Sequence, residues 1–555
     1  MKQVERDNPG GPKQAEKPST ARVHARNLAA NWGAHGANLV VMFFLSPFIV
    51  HTLGKTGYGI WSLLMVLTGY MGILDLGVRA STGRHIMLYL GKGDHKKVDE
   101  TIRTGLGVYT AVGGLILLVG LLLGWVFPQA FQSVPKVYYW QVQVLLPILA
   151  VNVWISALRT VLSSVLAAHD RFDLARASDL VMLAVRTGGT VLALSHGYGL
   201  LGLTVAVVGC NLVGLLANLL LARRVHEGLR LWPLILRRQR LRELMGYGLA
   251  AFITAISLRI IGQTDLLIVG ALIGVKATTV YAVGAMLLYY SDTLLGQIPM
   301  TLFPSIQRSI ARGEMGPARW LLFRQIRLAM VLGLPLLLGF ILFGQHFIRL
   351  WMLGPEFPEE SVLLASQVMV VLAASKIPIL FRSGATSLLV AMGHIRFTAA
   401  LTLTQAFVNL GFSLFFVLVL RWGLVGVAAG TLVARLMTST AILPWYLCRK
   451  ANLSFSRFAL QIGGRGALAG GAFAAACLLM RRVVPGESWT IFWVQVCLAL
   501  ICYVPIATII LVPESDRRRI VGKLLLWRHR PGRPPLKPFP PSGHSYQDRS
   551  TETLS

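Results

Sequence analysis

The chain has 555 residues, 55% of them hydrophobic and 14% charged, with a mean hydropathy of +0.63. Soluble domains carry about 25% charged residues, so a water-soluble reading leaves too little polar surface to cover the two or more domains this length would need. The 53 Lys and Arg against 23 Asp and Glu give a net charge of +30. These positive residues sit between apolar runs, which is the positive-inside pattern facing anionic headgroups and excludes a nucleic-acid binder.

A spanning helix needs about 20 apolar residues, and fourteen such stretches can be placed. Residues 1–26 form a polar tail with Pro9, Pro12 and Pro18, and no cleavable signal peptide is expected there. Spans 1–6 are predicted at Asn27–Leu53, Tyr58–Leu76, Thr104–Val126, Val142–Ala167, Ala177–Leu194 and Leu200–Ala222. A basic linker, 223–246, follows. Spans 7–12 are Tyr247–Leu272, Val280–Phe303, Leu328–Phe343, Ser361–Phe381, Phe397–Leu420 and Leu424–Leu447. Spans 13 and 14, Gly466–Met480 and Trp489–Val512, lie within a C-terminal pair covering 448–512. The tail 513–555 is basic, then Pro- and Ser/Thr-rich, a composition that cannot bury a core. The fold class predicted is all-α: a polytopic membrane protein with 14 transmembrane helices.

Alternate loops divide the charge unequally. One side collects 41 of the 53 Lys and Arg and the other 7, the rest lying inside spans. Both termini are therefore predicted cytoplasmic, in a multi-pass protein of the inner membrane. Arg79–Arg103 and Pro304–Arg327 are predicted to hold amphipathic interfacial helices.

The sequence also repeats itself. Arg171-Phe172 and Arg396-Phe397 stand in similar surroundings, and Tyr198-Gly199-Leu200-Leu201-Gly202 matches Trp422-Gly423-Leu424-Val425-Gly426 at an offset of 224. Leu90-Gly91-Lys92-Gly93-Asp94 matches Ile310-Ala311-Arg312-Gly313-Glu314. Spans 1–6 (27–222) and 7–12 (247–447) thus read as two copies. Six helices is an even number, so the copies share one orientation, as in parallel-repeat transporters.

Several short motifs carry no chemistry. Gly54-Lys55-Thr56 resembles the end of a phosphate-binding loop, but Ile49 stands where the upstream Gly is required. Gly197-Tyr198-Gly199-Leu200-Leu201-Gly202 links two spans rather than a strand and a helix. Gly270/Gly274 and Gly426/Gly430 are read as close helix packing. Cys210, Cys448, Cys477, Cys497 and Cys502 form no Cys-x-x-Cys pair and are read as packing residues. No metal site and no cofactor is expected.

The informative residues are charges within spans, each costing about 2.5–3.5 kcal/mol to insert at mid-span. They are Arg159, Arg186, Arg259, Lys376 and Arg435, with Asp265 and Asp292 of opposite sign. Polar companions fall at helical spacing: Asn27, Asn31, His35 and Asn38 on span 1; Asn152, Ser156, Arg159 and Ser163 on span 4; Thr398, Thr402, Gln405 and Asn409 on span 11; Thr431, Arg435 and Thr438 on span 12. Two readings compete. The stripes line a shared hydrated cavity, or they bond helices to one another. On the first, Arg159, Arg259, Arg435, Lys376, Arg186, His35, Asn31 and Asn152 bind an anionic substrate, and Asp265 and Asp292 serve coupling or gating.

The order Tyr58-Gly59-Ile60-Trp61-Ser62, Leu74-Asp75-Leu76-Gly77, Tyr89-Leu90-Gly91-Lys92-Gly93-Asp94, then Asp265, Val280-Tyr281-Ala282 and Gly423-Leu424-Val425-Gly426 resembles the polysaccharide transporter (Wzx-type flippase) branch of the MOP superfamily. The resemblance covers about residues 27–512. It implies two six-helix lobes around a central cavity, and flipping of a polyprenyl-pyrophosphate-linked oligosaccharide for cell-surface polysaccharide biosynthesis. The implied partners are that lipid-linked oligosaccharide, anionic membrane lipids and polysaccharide polymerase or assembly proteins. A drug or small-molecule antiporter would need a cation-binding cavity, which the positive interior disfavours. A polyprenyl-glycan membrane enzyme would need a large loop on the far side, and the longest is about Gly344–Glu360.

Overall fold

The computed structural model describes residues 20–75, 78–226, 228–229, 231–234, 249–514 and 516–518. The tails, most of the basic linker, and the side chains of Asn31 and His35 lie outside that description. Among the described residues every regular element is helical, apart from an isolated bridge between Gly354 and Phe357. Twelve spans are long and apolar enough to cross a bilayer. In chain order the helices are α1 (Thr20–Met71), α2 (Val78–Gly91), α3 (His95–Ala130), α4 (Tyr139–Ala168), α5 (Phe172–Ser195) and α6 (Gly199–Val225). Then come α7 (Leu249–Ile268), α8 (Val275–Leu295), α9 (Gln297–Ala311), α10 (Met315–Met352), α11 (Glu359–Ala391), α12 (Ile395–Leu418) and α13 (Gly423–Arg435). A π-helical stretch, Leu436–Ile442, joins α13 to α14 (Leu443–Lys450), and α15 (Phe455–Ala459), α16 (Arg465–Val483) and α17 (Trp489–Leu511) follow.

Two places depart from the predicted spans. Spans 1 and 2 run together as α1, whose 52 residues would extend about 78 Å if straight, far beyond a hydrocarbon core of about 30 Å. The stretch breaks at Gly54 (φ 69°, ψ 171°), a conformation open to glycine. Helix α8, predicted span 8, has 21 residues but is not among the twelve apolar spans. It lies between α1 and α11, so its Thr278, Thr279 and Ser291 are buried against protein rather than lipid. Helices α3 and α10 also start earlier than predicted, at His95 and Met315. Their first turns are polar and stay in register beyond the apolar stretch. The turns before them carry Gly93 and Gly313 at φ 69° and 74°, and the Asp94 carboxylate caps α3 by accepting from the Lys97 N–H at 3.1 Å.

The backbone repeats as the sequence does. Positive φ recurs at Gly54 and Gly274, Gly93 and Gly313, Gly197 and Arg421, and Gly199 and Gly423. In the first half α3 packs on α4, α5 on α6, α4 on α6 and α1 on α5. In the second, α10 packs on α11, α12 on α13, α11 on α13 and α7 on α12. Close packing explains Gly430, where an added Cβ would meet the Ser413 backbone nitrogen at 2.5 Å, and Gly426, which faces Phe416. Gly274 instead sits in a turn at φ 136°.

The halves meet most tightly at the end carrying Gly54. There Thr279 donates to the Lys55 carbonyl at 2.5 Å, the Val275 N–H donates to Ser133 Oγ at 3.0 Å, and Lys55 Nζ donates to Ser361 Oγ at 3.3 Å. The Trp351 indole N–H donates to the Phe43 carbonyl at 2.7 Å. Four residues on from Phe43 is Pro47, which has no N–H to offer that carbonyl. Pro47 thus leaves an acceptor unpaired inside α1, and a residue of the other half fills it. Trp351→Phe keeps an aromatic ring, though a smaller one, and removes the donor. A buried unpaired acceptor costs about 1–3 kcal/mol, so the variant's thermal midpoint in detergent should fall by a few degrees. An unchanged midpoint would show that the bond contributes nothing.

At the opposite end the chain leaving α6 turns at His226, which is buried. Its Nε2 lies 3.4 Å from Asp99 Oδ1. The rings of His95 and His169 sit 5.8 and 5.4 Å away. Burial, first, and the two neighbouring imidazoles hold His226 below the usual imidazole value against the opposing pull of Asp99. The unfolded chain therefore takes up a proton before the native one does. The stability that neutral His226 contributes is present above about pH 6.5 and is lost as pH falls from there toward the lowered native value. His226→Gln should flatten the dependence of the thermal midpoint between pH 7 and pH 5.

Candidate functional site

Helices α1, α4, α5, α6 and α8 enclose a cavity of about 460 Å³. Asn38, Tyr58 and Trp61 of α1, Arg159 of α4, Asp179 and Arg186 of α5, Asn211 of α6 and Tyr290 of α8 lie on its wall. The residues arrive there by helical spacing: Asp179, Leu183 and Arg186 recur every three or four positions and share a face of α5. The wall is aromatic, amide-bearing and cationic.

Its two arginines differ in their partners. Arg159 Nη1 lies 3.3 Å from Asp179 Oδ1 and 3.3 Å from Met182 Sδ. The same carboxylate takes Arg176 Nη1 on Oδ2 at 2.9 Å. Arg186 Nη2 reaches only Met42 Sδ, at 3.4 Å, and has no carboxylate partner among the described residues. A thioether is a weak acceptor, so Arg186 carries an unneutralised charge in the cavity. Asn152 of α4 is buried behind this wall, where its Oδ1 accepts from Asn211 Nδ2 at 3.0 Å.

The other predicted charges lie elsewhere. Arg259 of α7 is half-buried against the end of α1, its Nη2 3.9 Å from where a Cβ at Gly72 would stand. It makes no ion pair or hydrogen bond among the described residues. Arg435 is buried inside the second half and donates to Ser375 Oγ at 2.7 Å. Lys376 is buried and paired with Asp292. So Arg159 and Arg186 come together on one cavity wall, Arg259 sits at the seam between the halves, and Arg435 and Lys376 belong to an interior network.

That network continues through Asp265. Its Oδ2 accepts from Tyr281 Oη at 2.7 Å and from Thr431 Oγ1 at 2.9 Å. Thr431 Oγ1 also lies 3.1 Å from Asn409 Oδ1, which accepts from Ser413 Oγ at 3.0 Å. Asp265 thus pairs with hydroxyls rather than with Arg259, and its Oδ1 has no hydrogen bond. Sequence reading missed Arg382, placing it in a loop beyond Phe381. Helix α11 continues to Ala391, and Arg382 donates to Gln405 and, at 2.7 Å, to Thr402 Oγ1. The buried Ala385, Leu388 and Leu389 carry the apolar signal that the helix goes on. Asp179 was also missed; its position three residues after Arg176 and seven before Arg186 is the clue.

The comparisons with known proteins fit this geometry. Residues 107–361 match the family described as "Polysaccharide biosynthesis protein". The chain is 19% identical over 413 residues to the "Putative O-antigen transporter" of Shigella flexneri, covering 73% of this chain and 93% of that one. Its fold superposes on an inward-facing multidrug resistance MATE family transporter of the MOP superfamily with a TM-score of 0.65, at 14% identity over 74% of this chain and 94% of the other. It superposes on lipid II flippase MurJ in an inward closed conformation with a TM-score of 0.63, at 12% identity over 90% of this chain and 100% of the other. The resemblance read from the sequence holds. This is a multi-pass membrane protein that shares its fold with that MATE family transporter and with MurJ.

The Lys376–Asp292 pair gives a direct test of the interior network. Asp292 is half-exposed and Lys376 is not. Asp292→Asn therefore leaves a buried ammonium with no counter-charge, the more damaging way to break such a pair. Its thermal midpoint should drop by several degrees, and adding Lys376→Met should restore much of it. A double variant no more stable than Asp292→Asn would show that the two do not act as a pair.

Proposed function

We propose that the protein is a flippase that carries a polyprenyl-pyrophosphate-linked oligosaccharide across the bacterial inner membrane by alternating access, for cell-surface polysaccharide biosynthesis. The observation that carries this reading is Arg186, a cation facing a cavity whose wall also offers Tyr58, Trp61, Tyr290, Asn38 and Asn211. Arginine suits phosphate oxygens, and aromatic and amide groups suit sugar rings and hydroxyls. A headgroup of this kind cannot enter hydrocarbon, whereas its polyprenyl tail can stay there.

We assign headgroup contact to Arg186 and Arg159, with Arg259 at the seam. Lys376 and Arg435 hold the second half together, and Asp292, half-exposed beside Lys376, and Asp265 carry coupling and gating. Fourteen crossings result if α1 counts as two spans at Gly54 and α8 as one, giving two six-helix lobes related by an axis normal to the membrane and a further helix pair. The recurring helix pairings and the recurring positive φ angles support those lobes. The uneven loop charge supports cytoplasmic termini, which puts the closed Gly54 end outside and lets the headgroup enter from the cytoplasm. Anionic lipids would meet the basic loops, and a polymerase or assembly protein would receive the cargo.

The test is export of surface polysaccharide in a complementation assay, normalised to folded protein in the membrane. Arg186→Ala should lower normalised export by roughly tenfold or more, with Arg159→Ala and Arg259→Ala also impaired. Normal normalised export in all three overturns the cationic-cavity reading.

A further inference from the structure

Asp179 is a carboxylate set into the wall of a cavity read as binding an anion. Its two oxygens are divided between two guanidiniums, Oδ1 facing Arg159 at 3.3 Å and Oδ2 facing Arg176 at 2.9 Å. Both Arg159 and Arg176 have a buried Nε with no hydrogen-bond partner. The remaining contact of Arg159 is the Met182 thioether. An arginine with five donors, one long bond to a shared carboxylate and one to sulfur is underbonded. A diphosphate presents several charged oxygens and is the better acceptor. Arg176 is not on the cavity wall and binds Asp179 more closely than Arg159 does.

We propose that Asp179 sets the affinity of the cavity for its anionic headgroup by competing for Arg159, with Arg176 drawing the carboxylate away so that the exchange stays reversible. This rests on the reading that the cavity binds the pyrophosphate. Arrival of a phosphate oxygen at Arg159 displaces Asp179 Oδ1, and Asp179 remains neutralised by Arg176. On release Asp179 returns to Arg159. Arg186, with no carboxylate of its own, supplies the standing attraction, and the Asp179–Arg159 pair supplies a contact that forms only at a cost and so limits retention.

The exchange makes predictions of opposite sign for neighbouring residues. With full-length protein in lipid nanodiscs and inorganic pyrophosphate as the probe, titration calorimetry should show Asp179→Asn binding about threefold to tenfold more tightly than the parent. Arg176→Gln, outside the cavity, should bind about threefold more weakly, because Asp179 then turns wholly to Arg159. In an Arg159→Gln background, Asp179→Asn should change nothing. In export assays Asp179→Asn should lower both KM and kcat, since release slows. Unchanged or weaker pyrophosphate binding by folded Asp179→Asn overturns the proposal. Where that variant does not fold, unchanged or tighter binding by Arg176→Gln overturns it. Loss of binding in Arg186→Gln alongside either of those results leaves the cavity reading standing. Unchanged binding in Arg186→Gln overturns the cavity reading itself.

Discussion

A charged side chain inside a bilayer must meet another charge, a hydrogen-bond partner or water, because insertion at mid-span costs about 2.5–3.5 kcal/mol. The two halves of this protein satisfy that demand differently on similar helix pairings. In the second half, Arg259 at the seam aside, the charges find partners inside: Lys376 in Asp292, Arg435 in Ser375, Arg382 in Gln405 and Thr402, and Asp265 in Tyr281 and Thr431. In the first half Arg159 and Arg186 face a cavity instead. A polar network whose members have partners resists deformation, and an unsaturated cationic wall attracts a ligand. The asymmetry between halves follows from where the partners are, not from a difference in helix arrangement.

The seam between the halves depends on backbone chemistry more than on side-chain charge. Pro47 leaves a carbonyl unpaired, and Trp351 supplies the donor from across the seam. At Gly59 an added Cβ would lie 2.1 Å from the Val275 carbonyl oxygen, so only glycine allows that approach. The Thr279 hydroxyl reaches a main-chain carbonyl at Lys55. Apolar packing crosses the seam as well: Val50 and Tyr58 of α1 share a core with Val280 and Tyr281, and the Phe43 ring stacks on Trp351 at 5.7 Å. Opening the Gly54 end in the proposed cycle must therefore part this shared packing along with the backbone contacts.

Helical class, membrane residence and the twofold pattern were legible in the sequence because each is written in periodicity and composition. The place of Arg159, Arg259, Lys376 and Arg435 along their helices was legible as well, since it follows from distance along the sequence. Their azimuth was not. Arg435 and Arg159 both fall inside predicted spans, yet one turns toward Ser375 and the other toward the cavity. That difference is set by neighbouring helices whose rotation no single span encodes. Arg382 was misplaced because a charge is taken as the end of a span, although Gln405 and Thr402 on α12 make it affordable inside one. Spans 1 and 2 meet without a loop because Gly54 permits an abrupt change of direction.

The composition of α5 bears on how a carrier can release what it binds. A site that holds a diphosphate with two free arginines would lower its bound state so far that escape becomes slow, since favourable entry must be balanced by affordable exit. Only differential interaction between states drives a conformational change. Placing Asp179 between Arg159 and Arg176 keeps one of the two cavity cations partly neutralised at rest. Charge on the wall is then neither fixed nor absent; it is revealed in step with the ligand. The second half, whose charges behind the seam already have polar partners, offers no comparable exchange, so on this reading the first half is where a headgroup would alter the balance between inward and outward states.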